Sequence, residues 1–495
     1  MIVYLARGFR KIFGGDPMYT RCFAVLFALL LVCFGVNAES VDEYVKAEMA
    51  EQHIPGLSLS VVRDGRIIFA KTYGIANLEY NAPATDHTEF AIASMTKPIT
   101  ASAIMLLVQD GKLSLDDPIT KFFDGLPDEW QRITIRHLLS HTSGLRDHFR
   151  DFPFYPPLDL NRKLEYTDEE FIKAHVTAGL NFTPGTQWAY CSSGYSLLGL
   201  VIKKVTGKPY ADFFRERIFT PLGMTHTHVI SLSEIIPNRA SGYYWRDGVL
   251  RNARYSGQTF LGAADVSVIT TASDLAKWEI GLAGNLWKKH SLDQMWTPAK
   301  LSNGKDIAAF PQGSWGLGFA VGVYEGHPAA VHSGALETGF TSFMVTLRDK
   351  NMSVNVLTNT WDANPARIAF GVAGLMDSTL TPPHRIKVQN DPAPEITERL
   401  KGFLTALMSG NDATGFVTPE RAAHLFPVPK PPAGSPPPNQ SLSFIANEDV
   451  SMKGISRYGV KIAAMRHYKA GIMGDTVFLT IYFSRDGKIA DYSGY

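Results

Sequence analysis

The chain has 495 residues, of which 45% are hydrophobic and 19% charged, and its formal net charge is +1. This length predicts two or three folded units, and the composition is that of a globular protein. A nearly neutral chain excludes a dedicated nucleic-acid binder, which would show a basic face and a high isoelectric point.

The N-terminus has the pattern of a targeting segment. Basic residues precede an apolar run at 22–35, and the small-residue sequence Val-Asn-Ala ends at Ala38. This order is typical of a secretory signal peptide, and the run is shorter than the ~18–20 residues that a membrane span needs. We therefore predict a signal peptide over 1–38, an exported protein (periplasmic or secreted), and no stable membrane span after cleavage. Translation could start at Met1 or at Met18.

Local patterns then predict the elements in chain order. Residues 56–77 indicate two strands joined by an Asp-Gly pair, and residues 94–110 indicate a helix. Helices and long loops follow over about 115–260, and a second hairpin is indicated at 341–359. Strands on both sides of a helical block predict an α/β (α+β) fold, in which helices flank an antiparallel sheet and an all-helical lobe is inserted.

The character of the chain changes after about residue 383. Residues 394–411 have the apolar period of an amphipathic helix, and 427–440 form a proline-rich connector. A short helix is indicated at 418–425, and strand-like runs follow near 441–449, 457–468 and 475–484. We predict one domain over 39–383 and a small α+β domain over 384–495.

Ser94 and Lys97 stand at the start of the predicted helix, three residues apart and therefore on one face. A serine hydroxyl is a weak nucleophile until a base takes its proton. A lysine can be that base when it is neutral, a state that the positive potential of a helix N-terminus favours. The same spacing occurs by chance, and Ser-Asn-Gly-Lys at 302–305 repeats it in a predicted turn. Spacing alone thus leaves catalysis and coincidence open.

Other reactive residues have structural alternatives. His137 and His141 are four residues apart, but Leu138 stands where a zinc-protease helix carries glutamate. We predict structural hydrogen bonds for both histidines, and neither a metal nor another cofactor. Cys191 is the only cysteine outside the predicted signal peptide, so no intramolecular disulfide can form, and we expect it to be a small buried side chain.

Four motifs occur together and in order: SMTK (94–97), ITIRHLLSHTSGL (133–145), TPGTQWAYCSSGYSLLG (183–199) and HSGALETGF (332–340). Over about 40–375 the chain resembles the serine β-lactamase and penicillin-binding-protein superfamily. It is most similar to the branch of class C β-lactamases, D-alanyl-D-alanine carboxypeptidases, D-aminopeptidases and esterases.

The resemblance implies a set of catalytic groups. Ser94 would be the acylated nucleophile and Lys97 its proton acceptor or relay. Tyr190 matches the first position of the family's Tyr-x-Asn element and would share the acid and base work. The backbone N–H groups of Ser94 and Ala335 would form the oxyanion hole. Without the resemblance, Tyr190 would be interpreted as a packed aromatic residue.

The substrate-binding positions depart from the family pattern. Ser192 stands where the Asn of Tyr-x-Asn is expected, and its shorter reach puts the contact with a substrate amide in doubt. His332, Ser333 and Gly334 stand where β-lactamases carry Lys-Thr-Gly. His332 would then bind substrate with a group that titrates near neutrality instead of a permanent cation. The alternative for His332 is a hydrogen-bonded core histidine.

The resemblance implies a serine hydrolase that works through an acyl-enzyme on a peptide or small-molecule substrate. The His-x-Gly motif favours a peptidase for D-amino-acid-containing peptides, or an esterase, with weak or no β-lactamase activity. Two alternatives stay open: a penicillin-binding or acyl-binding sensor that does not turn over, and a true class C-like β-lactamase. The oligomeric state is not predicted.

Overall fold

A computed structural model describes residues 38–494 apart from 149–159, 162, 285, 308, 310–312, 325, 381–387, 423–439, 453–455, 458–459 and 473–474. The predicted signal peptide up to residue 37 lies outside the described residues, and so does the predicted connector up to residue 439. The first helix begins at Ala38, the residue after which cleavage is predicted.

The helices and strands follow one another as the sequence patterns indicate. The α-helices are α1 Ala38–Glu51, α2 Thr96–Gln109, α3 Ile135–Leu139, α4 Asp168–Ala178, α5 Ser192–Thr206, α6 Tyr210–Phe214, α7 Gln258–Leu261, α8 Ala272–Leu282, α9 Lys289–Trp296, α10 Pro365–Met376, α11 Pro394–Met408 and α12 Pro419–Ala422. The strands are β1 Gly56–Arg63, β2 Arg66–Asn77, β3 Ala82–Pro83, β4 Phe90–Ala91, β5 His228–Val229, β6 Tyr243–Arg246, β7 Val249–Asn252, β8 Val268–Thr270, β9 Gly313–Trp315, β10 Ala320–Tyr324, β11 His327–Leu336, β12 Phe340–Leu347, β13 Met352–Thr358, β14 Gln440–Asp449, β15 Ser456–Arg457, β16 Val460–Ile472, β17 Asp475–Ser484 and β18 Ile489–Gly494.

Both predicted hairpins of the first domain are confirmed. Strands β1 and β2 are joined by Asp64 and Gly65, whose φ angles are 50° and 70°. Two positive φ angles are the geometry that an Asp-Gly hairpin turn requires. Strands β12 and β13 pair antiparallel from Leu347 opposite Met352 to Thr341 opposite Thr358.

The main sheet has eight strands in the order β3-β2-β1-β13-β12-β11-β10-β9. Helices α1 and α10 cover one face, where Val41, Val45 and Ile368 share a buried cluster with side chains of β1, β12 and β13. A larger cluster joins the opposite side of the sheet to the helices between β4 and β9. The predicted antiparallel sheet flanked by helices is confirmed.

The inserted lobe is mainly helical and also contains short strands. Strand β8 pairs with both β4 and β5, and β6 pairs with β7. The β4–β8 pair matters for the site, because β4 leads directly into the Ser94 turn. The backbone N–H of Ile92 donates to the carbonyl oxygen of Val268 at 2.9 Å and extends this contact.

The last hundred residues form a helix-and-sheet unit with a core of its own. Strands β14, β16, β17 and β18 make a sheet to which β15 adds, and α11 packs its buried Leu400 and Phe403 into this core. The helix and the three long strands were predicted, whereas β18 was not. The domain boundaries proposed above stay a prediction.

Within the described part of the chain, no helix is long and apolar enough to cross a membrane.

Candidate active site

Ser94 lies on a short turn that precedes α2. Residues Ala93–Met95 form one turn of 3₁₀ helix, and Ala93 has a φ of 49°, a conformation that non-glycine residues rarely adopt. From 88 to 107, Ser94 is the only residue that is not buried. The turn therefore presents the Ser94 hydroxyl at the surface of an otherwise closed segment.

Lys97 faces Ser94 from the first turn of α2. Its Nζ donates to Ser94 Oγ at 3.1 Å, and the Lys97 side chain is 0% exposed. The i, i+3 spacing thus brings hydroxyl and amine together on one helical face, as predicted. A fully buried amine with a hydroxyl partner can exchange a proton with it without competition from bulk water.

An acidic side chain that the sequence analysis did not identify lies on the other side of Lys97. Asp265 is 0% exposed, its carbonyl oxygen accepts from Lys97 Nζ at 3.1 Å, and its Oδ2 is 3.7 Å from the same nitrogen. Burial raises the pKa of Asp265 to about 6, while the nearby charge of Lys97 and a hydrogen bond from Ser196 act in the opposite direction. An ionised Asp265 favours the ammonium form of Lys97, which opposes the effect expected from the helix N-terminus.

Tyr190 reaches the same amine from the loop before α5. The Lys97 Nζ lies 5.1 Å from the centroid of the Tyr190 ring. His141 holds this loop on both sides of Tyr190, because its carbonyl oxygen accepts from Ala189 N at 3.0 Å and its Nδ1 accepts from Cys191 N at 3.0 Å. The structure therefore brings Ser94, Lys97 and Tyr190 together although almost a hundred residues separate them.

The two histidines of the HLLSH stretch make structural hydrogen bonds, as predicted. His137 caps α3 through Thr134 and bonds with the carbonyl oxygen of Arg132 at 3.0 Å. Cys191 is buried, and burial raises the pKa of its thiol, so it is held as the neutral thiol.

Ser192 begins α5 directly after this loop and is 3% exposed. The other predicted binding residues lie on β11, with the side chains alternating across the strand. His332 is 4% exposed, and its Nδ1 bonds with the carbonyl oxygen of Ser333 at 2.7 Å. Ser333 is exposed on the opposite face of β11.

Gly334 packs directly against the turn that carries Ser94. A β-carbon at Gly334 would lie 2.2 Å from the carbonyl oxygen of Ile92 and 2.4 Å from Ser342 Oγ. Ser342 itself donates to the Ile92 carbonyl oxygen at 2.7 Å. Only a residue without a side chain allows β11 this close approach, so Gly334 has a packing role in addition to the predicted binding role.

The edge of β11 beside Ser94 has room for a substrate backbone. Strand β12 pairs with β11 from Ala329 to Leu336, whereas β10 pairs with it only as far as Val331. No described strand of the main sheet pairs with the other edge of β11 beyond that point. Ala335, which is exposed, lies on this segment. The predicted oxyanion hole stays a prediction that this placement allows.

An aromatic wall borders the site. Trp315 is buried, its ring lies 5.6 Å from Tyr190 and 5.5 Å from His332, and its Nε1 donates to the Leu139 carbonyl oxygen at 3.3 Å. Trp188 adds a half-buried ring 6.0 Å from Trp315. Trp315 lies in the WGLGF stretch, a motif that fits the family without indicating this contact. No spacing rule links Asp265 or Trp315 to Ser94.

The comparison with known proteins agrees with this geometry. The family model described as Beta-lactamase matches residues 41–371, more than half of the chain. The chain belongs to this family. It is accordingly a serine hydrolase of the β-lactamase and penicillin-binding-protein type.

Relatives of this family member are bacterial proteins. A penicillin-binding protein of Bacillus subtilis (strain 168) is 29% identical over 329 residues, which cover 63% of this chain and 69% of that protein. The chain spans between 41% and 69% of the lengths of the curated relatives it matches.

Solved structures share the fold. The octameric penicillin-binding protein homologue from Pyrococcus abyssi superposes with a TM-score of 0.58 at 20% identity, covering 93% of this chain and 100% of that one. The D-stereospecific amidohydrolase from a Streptomyces species superposes with a TM-score of 0.55 at 25% identity, covering 68% of this chain and 98% of that one.

Proposed function

We propose that this family member is an exported hydrolase that forms an acyl-enzyme on Ser94 and cleaves D-amino-acid-containing peptides or esters, with weak or no β-lactamase activity. The observation that carries the proposal is the 3.1 Å contact between Lys97 Nζ and Ser94 Oγ, made at the one accessible residue of a buried segment. The N-terminal targeting pattern supports export.

The reaction follows from the positions of these groups. Ser94 Oγ bonds to the acyl carbon while its proton passes to Lys97 Nζ, and the carbonyl oxygen becomes an oxyanion that backbone N–H groups stabilise. When the intermediate collapses, the bond to the leaving group breaks and that group takes the proton, with Tyr190 as the relay. A water molecule then attacks the ester by the same steps in reverse and releases the acid.

The substrate class is supported by two features. The chain carries His332 in the position of a β-lactamase lysine, which leaves one permanent positive charge fewer for a β-lactam carboxylate. A structural relative at 25% identity is described as a D-stereospecific amidohydrolase. Both favour D-amino-acid amides or peptides over β-lactams.

Intact-protein mass spectrometry with a fluorophosphonate tests the proposed nucleophile. We expect one adduct on the folded wild-type chain, located at Ser94, and none on Ser94→Ala. A wild-type chain that stays unlabelled would contradict the proposal.

A substrate panel then tests the class. D- and L-alanine amides form a matched pair, and a short-chain p-nitrophenyl ester and nitrocefin complete the panel. Preference for the D-amide or turnover of the ester is expected, with little nitrocefin hydrolysis. Fast nitrocefin hydrolysis would favour the class C-like alternative, and a stable adduct without turnover would favour the acyl-binding sensor.

Tyr190→Phe tests the proton relay, because it removes the hydroxyl and keeps the ring against Lys97. We expect kcat/KM to fall about 100-fold or more. Tyr195→Phe is the matched control, since this buried ring also lies near Lys97, at 5.8 Å, but its hydroxyl donates to the Leu139 carbonyl oxygen at 2.7 Å. A much smaller loss is expected there, and equal losses would argue against the relay.

A further inference from the structure

A carboxylate is buried against the amine of the proposed catalytic pair. Asp265 and Lys97 are both 0% exposed, and Asp265 contacts the amine twice, through its carbonyl oxygen at 3.1 Å and its Oδ2 at 3.7 Å. Two ionisable groups this close and this dry cannot titrate independently. The charge of one is part of the environment of the other.

The segment that carries Asp265 is anchored to the same helix as Lys97. The Thr100 hydroxyl donates to the Ala264 carbonyl oxygen, and the Thr96 hydroxyl accepts from Val268 N at 3.0 Å. Asp265 is therefore fixed with respect to α2 by three contacts, those of Thr96, Lys97 and Thr100. Its carboxyl cannot move away from the amine without breaking them.

Polar groups from several elements surround the Asp265 carboxyl. Ser196 of α5 donates to Oδ1 at 2.8 Å, and His148 Nε2 lies 4.0 Å from Oδ2. His148 is in turn bonded through Nδ1 to Ser193 Oγ at 2.8 Å. The charged or titratable groups that act on Asp265 are Lys97, Asp147, His148 and Tyr210. Of these, Lys97 is the cation in contact.

We propose that Asp265 is a positioning residue for the reaction: it holds the Lys97 amine beside Ser94 and sets the pH at which that amine can accept a proton. The inference rests on the proposed acylation of Ser94 and adds a fourth side chain to it. Above the pH at which Asp265 ionises, its negative charge favours the ammonium form of Lys97. The acid limb of acylation then reports the loss of the proton that the pair holds in common.

Asp265→Asn tests this, because it keeps the size and the backbone carbonyl while removing the charge. The rate of fluorophosphonate labelling is measured against pH over the range in which the chain stays folded. We expect the acid limb to move to lower pH by about 1 to 2 units, since an ammonium without its counter-ion loses a proton more readily. We also expect the plateau rate to fall about 10-fold to 100-fold, because the amine is held less firmly.

Ser196→Ala provides a second, milder variant that keeps the carboxylate. Loss of the Ser196 hydrogen bond raises the pKa of Asp265, because this bond stabilises the ionised form. The acid limb is expected to move in the same direction by a smaller amount. This variant also tests the proposal if Asp265→Asn does not fold.

Glu279→Gln is the matched control, since it removes a buried carboxylate far from Ser94. Glu279 is bonded to Ser353 and Asn355 of β13, and burial raises its pKa to about 7. This variant is expected to change thermal stability and to leave the acid limb in place.

An acid limb that is unchanged or moved to higher pH in both Asp265→Asn and Ser196→Ala would overturn the inference. The wild-type labelling separates this failure from failure of the proposed function. If the wild type is labelled at Ser94 and the variants keep its pH profile, only the role of Asp265 is wrong. If the wild type is not labelled, the acylation itself is wrong, and the inference falls with it.

Discussion

Replacing Lys97 by alanine is expected to lower the rate of Ser94 acylation about 10³-fold to 10⁴-fold. Lys97 Nζ is the hydrogen-bond donor to Ser94 Oγ, at 3.1 Å, and its side chain is fully buried, so solvent cannot easily replace it as a proton acceptor. The measurement is the second-order rate of fluorophosphonate labelling, read by intact mass at one pH.

The variant is expected to remain folded. Without Lys97, the pKa of Asp265 rises further, because the lysine charge is one of the influences that lower it. Asp265 then becomes a neutral carboxylic acid, and the buried site is not left with an unpaired charge. Lys97→Met fills the space that alanine leaves and is expected to be equally slow.

Lys277→Ala is the matched control, because it also removes a lysine paired with a buried aspartate. Lys277 Nζ lies 2.7 Å from Asp274 Oδ1, and this pair is separate from the Ser94 turn. Labelling at close to the wild-type rate is expected for it. If Lys97→Ala also kept a near-wild-type rate, Lys97 would not be the proton acceptor.

Gly334→Ala is expected to reduce acylation about 100-fold, through displacement of the turn that carries Ser94. The added β-carbon would lie 2.2 Å from the Ile92 carbonyl oxygen, too close for any rotamer to relieve, because both atoms belong to or adjoin the backbone. Either β11 or the turn must move. Labelling rate and thermal midpoint are measured together.

Gly415→Ala serves as the control for this substitution. Gly415 has no atom within 4 Å of the position that a β-carbon would take, so alanine meets no steric obstacle there. It should label at the wild-type rate. Full activity of Gly334→Ala would mean that the close approach of β11 is not needed for catalysis.

Elements with local causes could be predicted from the sequence. The hairpin at Asp64-Gly65 forms because two adjacent residues tolerate positive φ, and α2 forms because apolar residues recur at helical spacing. The Ser94–Lys97 contact belongs to this class, since three residues on one helix suffice to make it. In these cases the interacting residues are neighbours in sequence, and their geometry hardly depends on the remainder of the chain.

The arrangement around that pair depends on residues far apart in sequence. Tyr190 could be placed only by resemblance, and its position rests on hydrogen bonds from His141, about fifty residues away. Asp265 is 168 residues from Lys97 and lies in a stretch without periodicity or motif. Its contact exists because β8 pairs with β4, which brings the segment before β8 against α2.

The sequence by itself therefore determined the nucleophile, its nearest base and the elements that carry them. The tertiary structure decided what surrounds the base: a buried acid on one side, an aromatic wall on the other, and a glycine that allows β11 to reach the Ser94 turn. The physical reason is burial. The charge state of an amine depends on every polar group that shares its dry environment, and the packing of distant segments selects those groups.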